Sequence, residues 1–133
     1  MDYRIIDGAE QMRLDEIVRL LRMTYWADQR PIETIESSVC NSSCYGIRSE
    51  ADGRLIGFAR VISDDATTYY LCDVIIDSEY QHQGLGTALL SHIEARYAGL
   101  RGILLTRDAQ PFYRRFGYEV LNDRAMGRNP KRS

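Results

Sequence analysis

Residues 71–87, LCDVIIDSEYQHQGLGT, constrain the fold of this chain more than any other stretch. An apolar run over 71–76 reads as a strand, an acidic turn follows, and Gly84 and Gly86 stand where a helix should begin. The first N–H groups of a helix have no intrahelical partner and sit at the positive end of its dipole, so anions bind there. Two glycines leave those amides uncovered and tolerate φ > 0, and Gln81 adds a side-chain donor. The spacing Arg/Gln-x-x-Gly-x-Gly/Ala arises by chance in roughly one chain in ten of this length, given the ordinary frequency of glycine. Alone, it marks an anion-binding turn and nothing more specific.

Upstream, residues 3–6 read as a short edge strand closed by Asp7-Gly8. Leu14, Ile17, Val18, Leu21 and Tyr25 recur at helical spacing and predict an amphipathic helix. Pro31 suits the first position of a second helix, with Ile32, Ile35 and Val39 as its apolar stripe. Residues 45–49 and 55–63 are extended runs joined across Asp52-Gly53, a hairpin signal. A third run, 67–76, comes after the Asp64-Asp65 turn, so antiparallel strands lead into the anion-binding turn. Beyond it, Leu85, Ala88, Leu89, His92, Ile93 and Arg96 predict a helix ended by Gly99. A strand over 102–106, a short helix over 109–116 and a closing strand over 118–121 complete the order β-α-α-β-β-β-α-β-α-β, which is α+β. Its strand–helix–strand unit is a right-handed crossover, and a splay between the two parallel strands would admit an extended ligand.

At 133 residues, 44% hydrophobic and 27% charged, the chain is expected to form a single domain over 1–133. It begins MDYRIIDGAEQ, without the basic and apolar regions of a signal peptide, and no apolar run approaches the roughly 20 residues of a spanning helix. A cytoplasmic protein without membrane engagement is expected. Cys40, Cys44 and Cys72 lack the spacing of a zinc site or redox pair, so reduced thiols and no metal are expected. From Arg101 onward there are eight basic and three acidic residues, against nine and sixteen before it. That basic excess ends in RAMGRNPKRS, 124–133, which reads as a frayed polar terminus rather than a nucleic-acid surface.

Taken together, the loop and a later segment resemble the GNAT superfamily of acyl-CoA-dependent N-acyltransferases, and YWADQRP with FARVISDDATTYYLCDV is similar to its small bacterial members. Gln81-His82-Gln83-Gly84-Leu85-Gly86 fits the family's pyrophosphate loop, and Val74 to Ile76 fits the strand before it. Residues 109–118, AQPFYRRFGY, are similar to a late family helix, Ala-x-x-aromatic-Tyr, that ends in Gly-Phe or Gly-Tyr. Two motifs in order, covering most of the chain, are more specific than either alone. Two positions depart from the pattern: His82 stands where glycine is frequent, and Thr106 where asparagine is frequent.

The resemblance implies a mixed, mostly antiparallel sheet with helices on both faces and a splayed parallel strand pair holding the cofactor. It implies acetyl-CoA as co-substrate, a primary amine of a small molecule or peptide as acceptor, and no metal or nucleic acid; a homodimer is common where such a resemblance holds. Val74, Ile75 and Ile76 would offer amides to the pantetheine arm and the thioester oxygen. Gln81, His82, Gln83, Gly84, Leu85, Gly86 and Thr87 would hold the pyrophosphate, and Tyr113 would be the acid for the departing thiolate.

Asp73 interrupts an apolar strand, where an unpartnered carboxylate is costly. It reads as the base for the amine or as an anchor for the acceptor, with a neighbouring arginine or backbone groups as the alternative satisfaction. Tyr25, Trp26, Arg30 and Tyr70 read as lining for the acceptor cleft, although Tyr25 and Trp26 suit a core equally. An exposed Arg30 would favour an acceptor carrying a carboxylate or phosphate. The rival function on the same fold is a non-catalytic acyl-CoA sensor or partner-binding domain. A dinucleotide module fits poorly, because the third glycine of its fingerprint is absent and the preceding strands are antiparallel.

Overall fold

Short turns between extended runs force neighbouring strands to run antiparallel, and the second to fourth strands obey. A computed structural model describes residues 1–131. In it β1 (Tyr3–Asp7), β2 (Ser43–Ser49), β3 (Leu55–Ser63), β4 (Thr68–Ile76) and β5 (Arg101–Leu104) lie in that order in one sheet. The first three pairings are antiparallel and β4–β5 is parallel. Helices α1 (Leu14–Leu21) and α2 (Ile32–Cys40) precede β2, α3 (Leu85–Arg96) makes the crossover from β4 to β5, and α4 (Gln110–Arg114) comes after β5.

Both faces of the sheet are covered. Ile17, Leu20 and Leu21 of α1 and Ile35 and Val39 of α2 pack with Leu55, Phe58 and Ile75 on one face. Leu85, Leu89, Leu90 and Ile93 of α3 pack with Ile47, Ile56, Val61, Tyr69 and Leu71 on the other. Each fully buried aliphatic side chain contributes about 1.5–3 kcal/mol, so the two clusters fix where both helical layers sit.

One irregularity decides what the sheet presents. Arg60 pairs with Asp73 but the next residue, Val61, pairs with Leu71, so Cys72 is an extra residue bulged from β4. A bulge shifts the side-chain phase by one and sends the later residues of the strand to the opposite face. Leu71 accordingly packs under α3, whereas Ile75 joins the α1–α2 cluster and Val74 and Ile76 turn toward α3. Without the bulge, Asp73 would face α3.

The structure corrects several expectations. Residues 118–121 form no strand. The Tyr118 N–H donates to the Tyr113 carbonyl (3.3 Å) and its hydroxyl pairs with that of Tyr69, so the segment turns back on α4 before it can ladder along β5. Tyr25 leaves the helical stripe because Thr24 closes α1: its hydroxyl donates to Leu21 O (2.8 Å) and accepts the Ala27 N–H (3.0 Å). Ile32 is exposed, so the stripe of α2 reduces to Ile35 and Val39. Cys72, bulged from β4, is only half-buried. Residues 125–131 carry no helix or strand, and the last two positions of the expected frayed tail, 132–133, lie outside the described residues. Among the described residues no helix is long and apolar enough to cross a membrane.

Candidate active site

The parallel pairing of β4 with β5 runs from Thr68↔Arg101 to Leu71↔Leu104 and stops at the bulge. The remaining five residues of β4 therefore have no strand on that side. The Asp77 N–H donates to Ile56 O on β3 (2.8 Å). Because backbone direction alternates along a strand, Ile75 also faces its partner Phe58, while Val74 and Ile76 turn their N–H and C=O groups into the splay. Of the three strand residues expected to meet a cofactor, Val74 and Ile76 are the ones whose backbone is available. The Gln81 side chain donates to Ile76 O (3.2 Å) and folds back over the end of the strand.

The acidic turn is pinned from below. Asp77 is fully buried, accepts the Glu79 N–H (2.9 Å) and lies 2.9 Å from the Arg19 guanidinium, a charge contact without hydrogen-bond alignment at Oδ2. Past this turn His82 (φ 64°) and Gly84 (φ 81°) are both left-handed, and Gly84 O accepts the Ala88 N–H (3.0 Å) to open α3. His82 thus adopts the conformation that glycine takes most easily. Leu85 buries its side chain in the core, so only its backbone belongs to the loop. The Thr87 hydroxyl accepts from the Arg115 guanidinium (2.8 Å), which also lies 5.4 Å from the Phe112 ring centroid. This cation at the mouth of the loop was not among the expected site residues, although it stands within the late motif AQPFYRRFGY.

On the α1–α2 side of the splay is a cleft of about 370 Å³ whose walls include Tyr25, Trp26, Arg30, Tyr70, Asp73, Val74 and Tyr113. All four expected acceptor residues and both expected catalytic residues meet in it. Asp73 is only 1% exposed. Its Oδ1 accepts from Trp26 Nε1 (3.0 Å), and its Oδ2 from Arg30 Nη1 (3.1 Å) and Arg60 Nε (2.9 Å). Burial alone would raise its pKa, but Arg60 and Arg30 outweigh burial and hold the carboxyl below its usual value. Arg60, also absent from the expected set, was detectable: it is the single charge in LIGFARVIS, as Asp73 is in its own strand, and the register sets the two opposite each other.

Tyr25 and Trp26 line the cleft rather than the core; they meet edge to face at 5.1 Å, and the Arg107 guanidinium lies 4.1 Å from the Tyr25 centroid. Tyr113 stands on α4 between Phe112 and Tyr118, and burial pushes its phenol up to about 12. It stays protonated at neutral pH, so it can serve there as an acid but not as a base. Thr106 accepts the Ala109 N–H at its hydroxyl (3.0 Å) and thereby sets the start of the segment that carries Tyr113. Among the described residues no three His, Cys, Asp or Glu side chains converge as a metal site would require.

Residues 41–120 match the family model of the acetyltransferase (GNAT) domain. An uncharacterised N-acetyltransferase of Gracilaria tenuistipitata var. liui, ycf52, is 30% identical over 123 residues, which cover 87% of this chain and 67% of that protein. Histone acetyltransferase TAP1 of Glycine max is 32% identical over 69% of this chain, which spans only 46% of that longer protein. The crystal structure of a protein from Xanthomonas campestris pv. campestris assigned to the GNAT family superposes with a TM-score of 0.89 at 32% identity, covering 98% of this chain and 94% of that one.

Proposed function

The chain belongs to the GNAT acetyltransferase family, and from that membership we propose that it transfers an acetyl group from acetyl-CoA to a primary amine of a small molecule or peptide by direct attack. The observation that carries this reading is the splay: β4 loses its parallel neighbour after Leu71, Val74 and Ile76 turn backbone groups into the gap, and Tyr113 stands at its wall. Acetyl-CoA supplies the thioester. The Val74 and Ile76 backbones pair with the pantetheine arm, and we assign the Val74 N–H, which points into the splay, to the carbonyl oxygen. Gln81, His82, Gln83, Gly84, Leu85, Gly86 and Thr87 contribute loop amides to the pyrophosphate, with Arg115 adding a positive charge beside Thr87.

The amine nitrogen bonds to the carbonyl carbon, the carbon–sulfur bond breaks, and the thiolate takes a proton from the Tyr113 hydroxyl. One proton of the ammonium goes to water before attack, and the second, shed by the nitrogen as the amide forms, returns through water to the Tyr113 phenolate. Asp73 is unsuited to receive it, because both oxygens already accept charge-assisted or indole hydrogen bonds and its pKa is lowered. We assign Asp73 as the anchor that holds Trp26, Arg30 and Arg60 at the acceptor cleft. A cytoplasmic setting belongs to the same reading.

The test is Tyr113→Phe, assayed by thiol release from acetyl-CoA with an amine panel. Removing a general acid should lower kcat about 100-fold with the KM for acetyl-CoA unchanged. An unchanged kcat removes the acid role. Acetyl-CoA binding by the unaltered protein without transfer to any amine would instead favour an acyl-CoA sensor.

A further inference from the structure

The charges at the bottom of the acceptor cleft do not balance. Arg30 and Arg60 both donate to Asp73 Oδ2, so two guanidiniums share one carboxylate. Asp108 also lines the cleft, but it is exposed, at the rim beside Arg107. Arg60 spends a second donor on the Ser42 hydroxyl (3.1 Å). Arg30 does not: of the five N–H groups of its guanidinium, one is engaged by a side chain among the described residues, and the side chain remains 22% exposed. An arginine oriented by a buried carboxylate, with its other donors facing a cleft, is a preformed receptor for an oxyanion.

Around that receptor the lining is apolar and aromatic: Tyr25, Trp26, Ile62, Tyr70 and Leu105. Trp26 is fixed by its own bond to Asp73, so the aromatic wall and the cation are set by one carboxylate. Building on the acyl-transfer reading, we propose that the acceptor is a primary amine that also carries a carboxylate or phosphate on a compact body, with the anion held by Arg30 and the body against Trp26 and Tyr25. The amide forms at the amine alone, and the anionic group leaves unchanged. The same excess positive charge favours the neutral, attacking form of a nearby amine, which suits a site whose carboxylate is already committed. Polycationic acceptors meet the opposite condition, since they bring charge to guanidiniums that lack a second counter-ion.

The chain contains one tryptophan, and it is in this cleft. Its fluorescence therefore reads acceptor binding without any turnover. The full chain is titrated with two pairs of amines that differ by their anion: L-phenylalanine against phenethylamine, and O-phosphoethanolamine against ethanolamine, with spermidine as the polycation. In at least one pair the anionic member should bind at least tenfold more tightly, and the pair that does so distinguishes carboxylate from phosphate. Arg30→Gln should abolish the gap and Arg30→Lys should keep part of it. The proposal is overturned if in neither pair the anionic member binds tenfold more tightly, if spermidine binds as tightly as the anionic amines, or if no anionic amine perturbs Trp26. Thiol release measured with the same amines separates the two levels. Anionic amines that bind without release uphold this receptor and count against acyl transfer, whereas release with spermidine alone upholds acyl transfer and overturns the receptor.

Discussion

The two walls that the proposed reading assigns to the acetyl donor and to the acceptor are built from different material. The donor wall, Val74 to Thr87, works through backbone: N–H groups freed by the end of the β4–β5 ladder and by a helix start, shaped by left-handed residues at 82 and 84. The acceptor wall works through side chains from separate segments, Tyr25, Trp26 and Arg30 before α2, Arg60 on β3, and Tyr70 and Asp73 on β4. Every residue except proline has a backbone N–H, so the donor wall can persist through wide sequence change provided its geometry holds. The acceptor wall can be rewritten without touching that geometry, which is how one fold serves many acceptors. The bulge at Cys72 joins the walls, since it turns Val74 and Ile76 toward one and Asp73 toward the other.

The strongest way to break this division is Asp73→Asn. Two arginines then lose their buried counter-charge, and stability should fall by about 3 kcal/mol, read as a lower urea midpoint. The acetyl-CoA affinity of the folded protein should not change; a parallel loss of donor affinity would mean that the walls are one unit. The pH dependence has a definite sign. The folded pKa of Asp73 is depressed, so its stabilising contribution is complete above the unfolded carboxyl value near 4, about where Asp titrates in peptides. It is lost as the pH falls through the lower folded value, and the gap between wild type and variant should close there.

A second arginine–carboxylate pair serves as the control. Arg48 donates to both oxygens of Glu16 (2.8 and 2.9 Å), away from either wall, and that hydrogen-bonded pair holds the Glu16 carboxyl near 2 against the opposing effect of burial. Glu16→Gln should cost about 2 kcal/mol, the value of a charge-assisted bond, and leave thiol-release kinetics unchanged. Its contribution is complete above a pH of about 4.5 and is lost toward pH 2. Slower thiol release by Glu16→Gln would show that loss of stability alone lowers turnover.

The same contrast explains what the sequence could reveal. Gly84 and Gly86 are visible in a linear reading because backbone geometry is encoded locally, and the strands around them emerge from alternation and turn residues. Asp73 stood out as a charge inside an apolar strand, yet its partners Trp26 and Arg30 lie more than forty residues away and meet it only because a bulge reverses the strand's faces. A one-residue bulge leaves no compositional trace. The expected strand at 118–121 failed for a related reason: a tyrosine pair and the end of α4 turn it away from β5.

The smallest effects separate the two glycines of the donor wall. Gly84 is left-handed and a Cβ there would meet nothing within 4 Å, so the cost of Gly84→Ala is conformational, about 1 kcal/mol. Gly84→Asn should cost less, because asparagine tolerates that region. Acetyl-CoA KM should rise with the alanine variant, as the loop relaxes from the geometry that aims its amides, while acceptor binding read at Trp26 stays unchanged. Gly86 has no positive φ, and a Cβ there would rest 3.6 Å from the Phe112 ring, an ordinary contact. Gly86→Ala should therefore leave KM unchanged and, inside α3, raise stability by at most about 1 kcal/mol. A Gly86→Ala protein that keeps its stability but loses acetyl-CoA affinity would mean that the ligand, and not the fold, requires the second glycine, and that the donor wall reads side-chain space as well as backbone direction.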